Sequence, residues 1–269
     1  MDDSIGSIIG DMLAGMPPEI LREAIENPAT AEQREQRRAD AYNSQKGDLG
    51  YIDCPDCLNR GDRAVVVDGV LKIQPCACMI KRENMRRLHE SGLADFVMDY
   101  TFAAYETPDA EREDCKAKAM EYTRAGDGNW LFVSGRSGSG KTHLCTAVCA
   151  GLIRQCHDVR YMLWRDTAPR LKALINEREQ YESEIAIYKT VDVLYIDDLF
   201  KGSVTSADVN LAYEIINARY AVRELRTIIS TERSIDDIIR IDEALGGRIF
   251  ERSRDYMINA PNQNWRLRK

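Results

Sequence analysis

The segment GRSGSGKT (residues 135–142) constrains the fold more than any other part of this chain, because it fits the pattern GxxxxGK[ST] in full. It stands between the apolar run WLFVSG, which predicts a buried strand, and a helix predicted from about residue 141 to 156. In that setting the glycines let backbone N–H groups curl around a phosphate, and the helix N-terminus adds its partial positive charge. The sequence therefore predicts a nucleotide-binding P-loop.

The residue types in this loop indicate what each position contacts. Lys141 is predicted to reach the β- and γ-phosphates of a nucleotide, and Thr142 to hold Mg²⁺. ATP/ADP and Mg²⁺ are thus the predicted cofactors of this site. The full set of predicted nucleotide contacts in the loop is Gly135, Ser137, Gly138, Ser139, Gly140, Lys141, Thr142 and His143.

The run VDVLYIDDLF predicts a second strand that carries the acids such a site needs. Asp197 is expected to contact Mg²⁺ through water. Asp198 stands where many such ATPases carry a glutamate that orients the attacking water; a helix N-cap is the alternative for this residue. The next strand, RTIIST, ends in STE at 230–232. A polar side chain there, such as Thr231, would face the γ-phosphate or its water, or would cap the following helix.

Strands and helices alternate from about residue 130 onward. The predicted strands are WLFVSG, VRYMLW, VDVLYIDD, RTIIST and DYMINA, and the stretches TAPRLKALINEREQYESEIAIYK and SIDDIIRIDEALGGRIFERS are predicted to be helical. Alternation of this kind predicts an α/β domain with a parallel sheet and helices on both faces.

Four of the eight cysteines form the pattern C-x2-C-x18-C-x-C, at Cys54, Cys57, Cys76 and Cys78. Zn²⁺ takes four thiolates, which short turns provide two at a time. The gap between the pairs contains AVVVDGVLKI, which predicts a strand, an Asp-Gly turn and a second strand. We therefore predict a small zinc ribbon with a structural ion; a redox pair and plain cysteines are the alternatives. The remaining cysteines are predicted to be small buried hydrophobes on helices.

Apolar residues near the N-terminus share one helical face, namely Ile5, Ile8, Ile9, Met12, Leu13 and Met16. Thr30 and Gln33 have capping-box spacing ahead of a polar helix. A short apolar stripe on a polar segment predicts docking into a partner's groove, and packing on this protein's own body is the alternative. The chain thus divides into a helical docking segment (1–48), a zinc-binding module with a basic linker helix (49–92) and the ATPase domain (93–269).

The charge of the chain limits its partners. A net charge of −7 argues against non-specific coating of nucleic acid, yet six basic residues lie among the last 23, where they would track a phosphate backbone or form a solvated face. The acidic N-terminus lacks the positive region of a secretory signal, and no apolar run approaches the roughly 20 residues of a membrane span. A cytoplasmic protein without a membrane partner is expected.

Several segments, in the order in which they occur, resemble the DnaC/DnaI-type helicase loaders, in particular the versions in phages and prophages. These segments are CPDC…PCACMIKREN, YTFAAYET, GRSGSGKTHLCTA, VLYIDDLFK, IISTERSIDDIIRIDEALGGRIFERS and NWRLRK, over about residues 50–269. The resemblance implies an AAA+ P-loop ATPase fold without a large helical lid. It also implies ATP-dependent placement of a hexameric DnaB-type replicative helicase on single-stranded DNA, by a homo-oligomer formed through the AAA+ domain.

The resemblance further implies roles for single residues. By position, Thr231 falls near sensor 1, Arg248 near the arginine finger and Arg266 near a sensor-2-like arginine. The chain departs from the AAA+ pattern in having STE at sensor 1 and Asp-Asp in place of Asp-Glu, and both departures bear on the rate of hydrolysis. Two other functions stay open: a transposition helper ATPase of the IstB type, in which no zinc ribbon is expected, and a nucleotide-dependent protein that sequesters a helicase.

Overall fold

The structure is a computed structural model that describes residues 29–89, 97 and 99–261. The chain divides into two compact units, Met1–Met79 and Ile80–Lys269. The apolar stripe predicted at residues 5–16 and the predicted sensor arginine Arg266 lie outside the described residues. Both therefore stay predictions.

The described part of the first unit consists of one helix and one hairpin. Helix α1 (Ala31–Asn43) begins at a capping box in which the Thr30 hydroxyl accepts from the Gln33 amide and the Gln33 side chain accepts from the Thr30 amide. The capping box predicted at Thr30 and Gln33 is confirmed. Strands β1 (Asp62–Val67) and β2 (Val70–Pro75) pair antiparallel, and the two residues between them have φ of 52° and 74°. Positive φ at both turn residues is what a tight Asp-Gly hairpin turn requires.

Side chains at the end of α1 join the helix to the hairpin. The Asn43 amide donates to the Ala64 carbonyl and accepts from the Ala64 amide, both at 2.9 Å. The Tyr42 hydroxyl donates to Asp62 over 3.1 Å. Helix α1 therefore belongs to the same unit as the cysteine hairpin, and the boundary predicted near residue 48 falls inside that unit. The division of the chain into three functional parts stays a prediction.

The second unit is an α/β domain with five parallel strands. Its strands are β3 (Leu131–Ser134), β4 (Val159–Leu163), β5 (Val193–Asp197), β6 (Arg226–Thr231) and β7 (Met257–Asn259). They pair in the order β4-β5-β6-β3-β7. Its helices are α2 (Cys78–Leu88), which begins at the unit boundary, α3 (Ala110–Arg124), α4 (Lys141–Arg154), α5 (Trp164–Ala173), α6 (Arg178–Thr190), α7 (Ser206–Tyr220), α8 (Ile235–Ile241) and α9 (Glu243–Ser253).

Each face of the sheet is covered by its own apolar cluster. Leu131 and Val133 of β3 pack with residues of α3 and α4, whereas Trp130 and Phe132 pack with α5–α9 on the other face. Successive side chains of a strand point to opposite faces, so one apolar strand supplies both clusters. The prediction of a parallel sheet with helices on both faces is confirmed.

The two stretches predicted as helical are each divided into two helices. The first comprises α5 and α6, with a break between residues 173 and 178. The second breaks at Asp242, whose backbone is extended and whose carboxylate accepts from the Leu245 amide over 2.7 Å. Asp242 thus ends α8 and caps α9. An aspartate side chain often interrupts a helix in this way, because it hydrogen-bonds to nearby backbone amides.

No helix in the described ranges is long and apolar enough to cross a membrane.

Candidate functional site

The P-loop joins β3 to α4 through glycines with left-handed backbone. Gly138 and Gly140 have φ of 78° and 93°, which side chains other than glycine adopt only at a cost. A Cβ on Gly140 would lie 3.3 Å from Arg112 Nη2 and from Tyr105 Cε2. The positive φ therefore favours glycine at this position and the space for a side chain is tight, and α4 begins directly after it at Lys141.

Lys141 is held within the loop itself. Its Nζ donates to the carbonyl oxygens of Gly135 at 2.8 Å and Arg136 at 3.0 Å. Burial lowers the pKa of Lys141, while the carboxylates of Asp198 and Glu232 act in the opposite direction. The ammonium group thus stands at the rim of a cradle of backbone groups, where a phosphate oxygen is a stronger acceptor than a carbonyl.

A cleft of about 310 Å³ opens over the loop. The residues of the P-loop and α4 that line it are Ser137, Gly138, Gly140, Lys141, Thr142 and His143. Asp198, Lys201 and Glu232 line it from the ends of β5 and β6. This combination of glycine backbone, a buried lysine, a hydroxyl and carboxylates fits a nucleotide phosphate chain with Mg²⁺. Of the predicted loop contacts, Gly135 and the buried Ser139 lie outside the lining.

Asp197, the first predicted acid, is buried with hydrogen bonds to both carboxylate oxygens. Tyr161 on β4 donates its hydroxyl to Oδ2 over 3.1 Å, and Ser230 on β6 donates to Oδ1. The Ser230 hydroxyl also accepts from the Asp198 amide over 3.1 Å. One serine therefore orients both acids, a role that the sequence did not indicate.

Thr231, the residue predicted near sensor 1, does not line the cleft. Its hydroxyl donates to the Leu199 carbonyl over 2.7 Å and accepts from the Arg233 amide over 3.1 Å. It therefore shapes the loop after β5. It does not cap the next helix, α8, since Ser234 does so.

Asp198, the second predicted acid, lines the cleft. The next helix, α7, is capped by Thr205, so the alternative interpretation of Asp198 as a helix cap is wrong. Glu232, also on this wall, belongs to the STE segment in which a polar side chain is predicted to face the γ-phosphate. Sequence reasoning missed Lys201, whose signal was its position closely after the polar end of a predicted strand.

Aromatic rings form a further wall of the cleft. His143 stacks on Tyr100 with ring centroids 4.6 Å apart, and its Nε2 lies 3.0 Å from the Thr101 carbonyl oxygen. Burial lowers the pKa of His143. A neutral ring that carries its hydrogen on Nε2 satisfies this contact.

Arg248, the predicted arginine finger, lies on α9 outside the cleft of its own chain. Its guanidinium carbon is 4.9 Å from the Tyr213 ring centroid, and Nη1 donates to the Ala244 carbonyl over 2.9 Å. Arg248 therefore does not line the cleft of its own chain, and its role as an arginine finger stays a prediction.

The four predicted zinc ligands converge in the first unit. All four Sγ atoms lie within 4.8 Å of one another, with Cys54 and Cys76 3.8 Å apart and Cys57 and Cys78 3.5 Å apart. A tetrahedron with Zn–S bonds of about 2.3 Å has edges of about 3.8 Å. The buried cluster therefore fits a zinc module.

The pKa of the Cys57 thiol is lower than that of an ordinary cysteine. Burial raises its pKa, but hydrogen bonds from the Gly61 amide and from neighbouring thiols outweigh burial and bring the pKa to about 7. The Gly61 amide donates to this sulfur over 3.4 Å. Thiolates are the form that binds metal.

The parallel sheet, the P-loop and the acids at the ends of neighbouring strands define a P-loop ATPase of the AAA+ class. Comparison with known families identifies the family within this class to which the chain belongs. Residues 77–256 match the model of the IstB-like ATP binding proteins, and the chain belongs to this family.

Individual relatives agree with this assignment. The chain is 32% identical over 227 residues to the phage-like element PBSX protein XkdC of Bacillus subtilis (strain 168), covering 79% of this chain and 84% of that protein. It is 24% identical over 184 residues to the replicative helicase loader DnaC of Escherichia coli (strain K12), covering 65% of this chain and 73% of that protein. The crystal structure of the DnaC helicase loader superposes with a TM-score of 0.50 at 21% identity, covering 61% of this chain and 98% of that chain. The last comparison shows a shared fold.

Proposed function

We propose that this protein is an ATP-controlled helicase loader, which binds a hexameric DnaB-type replicative helicase and places it on single-stranded DNA. The observation that carries the proposal is a cleft lined by the P-loop and by Asp198 in a DnaC-like fold, in a chain that also has a cysteine cluster earlier in its sequence. The similarity to a replicative helicase loader supports it. The cysteine unit favours a loader over a transposition helper.

The proposed roles of the cleft residues follow from chemistry and placement. Lys141 and the loop amides would bind the phosphates, and Thr142 and Asp197 would hold Mg²⁺. Asp198 orients the attacking water. An aspartate reaches less far than glutamate, so we expect slow hydrolysis. Mg²⁺ would neutralise phosphate charge, and the chain's own groups position the nucleotide around it.

ATP would act through the assembly of subunits. A γ-phosphate bound in one subunit would hold the neighbouring subunit through Arg248, and loss of that phosphate would release the loader. The zinc ion would be structural, since four cysteines leave no open coordination position. The proposed site of action is the cytoplasm, where these thiols stay reduced.

The test mixes the protein with candidate replicative helicases and measures the mass of the complex with and without ATP. Lys141→Ala should lose ATP binding and loading and keep helicase binding, because the first unit is proposed to make that contact. Helicase binding lost together with ATP binding would contradict this division of labour. Tight helicase binding with negligible ATP turnover and blocked unwinding would instead identify a sequestering protein.

The family match supports a second candidate, a transposition helper ATPase of the IstB type. Such a protein would bind duplex DNA, whereas a loader would prefer single strands. Affinities for single- and double-stranded oligonucleotides of the same sequence, measured at one stated salt concentration, distinguish the two. A preference for duplex DNA without any helicase complex would favour this candidate.

A further inference from the structure

The loop after β5 places a lysine at the acidic wall of the cleft. Lys201 Nζ lies 2.8 Å from Asp198 Oδ2 and 3.2 Å from Glu232 Oε1. All three side chains line the same cleft as Lys141 and Thr142. One ammonium group therefore joins two carboxylates just beyond the carboxyl ends of β5 and β6.

The loop that carries Lys201 has a conformation maintained by its surroundings. Asp198 and Phe200 have φ of 58° and 57°, a left-handed conformation that costs a non-glycine residue on the order of 1–3 kcal/mol. Leu199 and Phe200 bury their side chains in the core between the sheet and α5–α9. Strain of this kind persists only where the neighbouring structure enforces it.

Side chains at the end of β6 hold the same loop by its carbonyl groups. The Thr231 hydroxyl donates to the Leu199 carbonyl over 2.7 Å, and Arg233 Nε donates to the Phe200 carbonyl over 2.9 Å. The backbone on the N-terminal side of Lys201 is thereby fixed, so its side chain extends into the cleft from a defined point.

A stronger anion can replace the carboxylates of Asp198 and Glu232 as the partner of the Lys201 ammonium. Burial lowers the pKa of Lys201, but the hydrogen bonds and charges of Asp198 and Glu232 outweigh burial and raise it, so the group is a cation. Its side chain is 29% exposed and that of Glu232 is 34% exposed. A terminal phosphate has more charge than a carboxylate and three acceptor oxygens, so it competes for the same ammonium.

We propose that Lys201 discriminates ATP from ADP by exchanging its carboxylate partners for the γ-phosphate. The exchange frees Asp198 from its ion pair when the triphosphate is bound. ADP has no γ-phosphate and leaves the pairs with Asp198 and Glu232 intact. This inference rests on the nucleotide site of the proposed function and is independent of helicase loading.

The test measures the dissociation constants of ATP and ADP for the full chain by calorimetry in the presence of Mg²⁺. Lys201→Gln should weaken ATP binding about tenfold, the loss of one hydrogen bond to a charged group, and change ADP binding much less. Lys201→Arg should retain most of the discrimination. Lys189→Gln is the matched control, because it breaks an ion pair of the same type, Lys189 with Glu214 at 2.5 Å, outside the cleft.

Glu232→Gln should change the affinity for ATP in the direction opposite to Lys201→Gln. It removes one competitor for the ammonium, so the affinity for ATP should rise more than the affinity for ADP. Equal losses of ATP and ADP affinity in Lys201→Gln, or an unchanged ATP affinity, would overturn the inference. A wild-type protein that binds neither nucleotide would refute the site itself, whereas a failure of helicase loading would leave the role of Lys201 intact.

Discussion

Loss of the metal predicted at the cysteine cluster should unfold the first unit and spare the second. Within the described residues 29–79 the buried apolar side chains, apart from the cysteines, are those of Ala39 and Ala64. Val70 and Ile73 of the hairpin are 57% and 48% exposed. A unit with so little apolar burial depends on a cross-link such as a metal.

The free energies of apolar burial and of zinc binding indicate why the first unit should unfold without the metal. Burial of two alanine methyl groups contributes only about 1–2 kcal/mol, whereas a structural zinc site contributes about 10–16 kcal/mol. The change Cys76→Ser removes one of four thiolates and with it most of that free energy. Neither the hairpin nor α1 has another source of comparable size, so the unit should be unfolded in this variant.

Hydrogen exchange measured by mass spectrometry on the full chain resolves the two units. Amides of β1 and β2 should lose protection in Cys76→Ser, and in the wild type after chelation, while amides of β3, β5 and β6 keep it. The matched control is Cys156→Ser, which alters a half-buried thiol outside the cluster. Tryptophan fluorescence gives a second readout, because no tryptophan occurs in residues 1–79; it should not change.

Two results would refute this reasoning. Hairpin amides that stay protected after elemental analysis has verified the loss of metal would show that the unit folds without it. Collapse of ATP binding together with the hairpin would show that the cysteine unit is part of the ATPase.

Two further predictions concern the second unit. Ser230→Ala removes the donor to Asp197 and the acceptor of the Asp198 amide; we expect a loss of about 1–3 kcal/mol in chemical denaturation and slower phosphate release. Arg219 is fully buried and donates five hydrogen bonds, to the Thr227 hydroxyl and to the carbonyls of residues 188, 191, 192 and 226. Arg219→Met should cost about 3 kcal/mol or more, since each buried carbonyl without a donor costs roughly 1–3 kcal/mol, while the exposed Arg240→Met control should have no measurable effect. A small change in Arg219→Met would mean that water reaches these carbonyls.

The local elements were predictable because their signals lie within a few residues. The Asp-Gly turn, the cap at Thr30 and the P-loop each depend on residue types at fixed short spacings, and the structure contains all three. The break at Asp242 was missed, because an aspartate inside a periodic apolar pattern is compatible with a continuous helix as well as with a cap.

Residue patterns alone predict the phosphate-binding loop, the parallel α/β sheet and the tetrad of cysteines, since each is encoded in short stretches of the chain. Which polar residue contacts the two acids depends on strand pairing in the folded domain. Parallel pairing sets Ile196 of β5 beside Ile229 of β6, so the following residues, Asp197 and Ser230, become neighbours and Thr231 is directed to the loop. That register depends on packing across both faces of the sheet, and the same register brings Lys201 to the cleft wall.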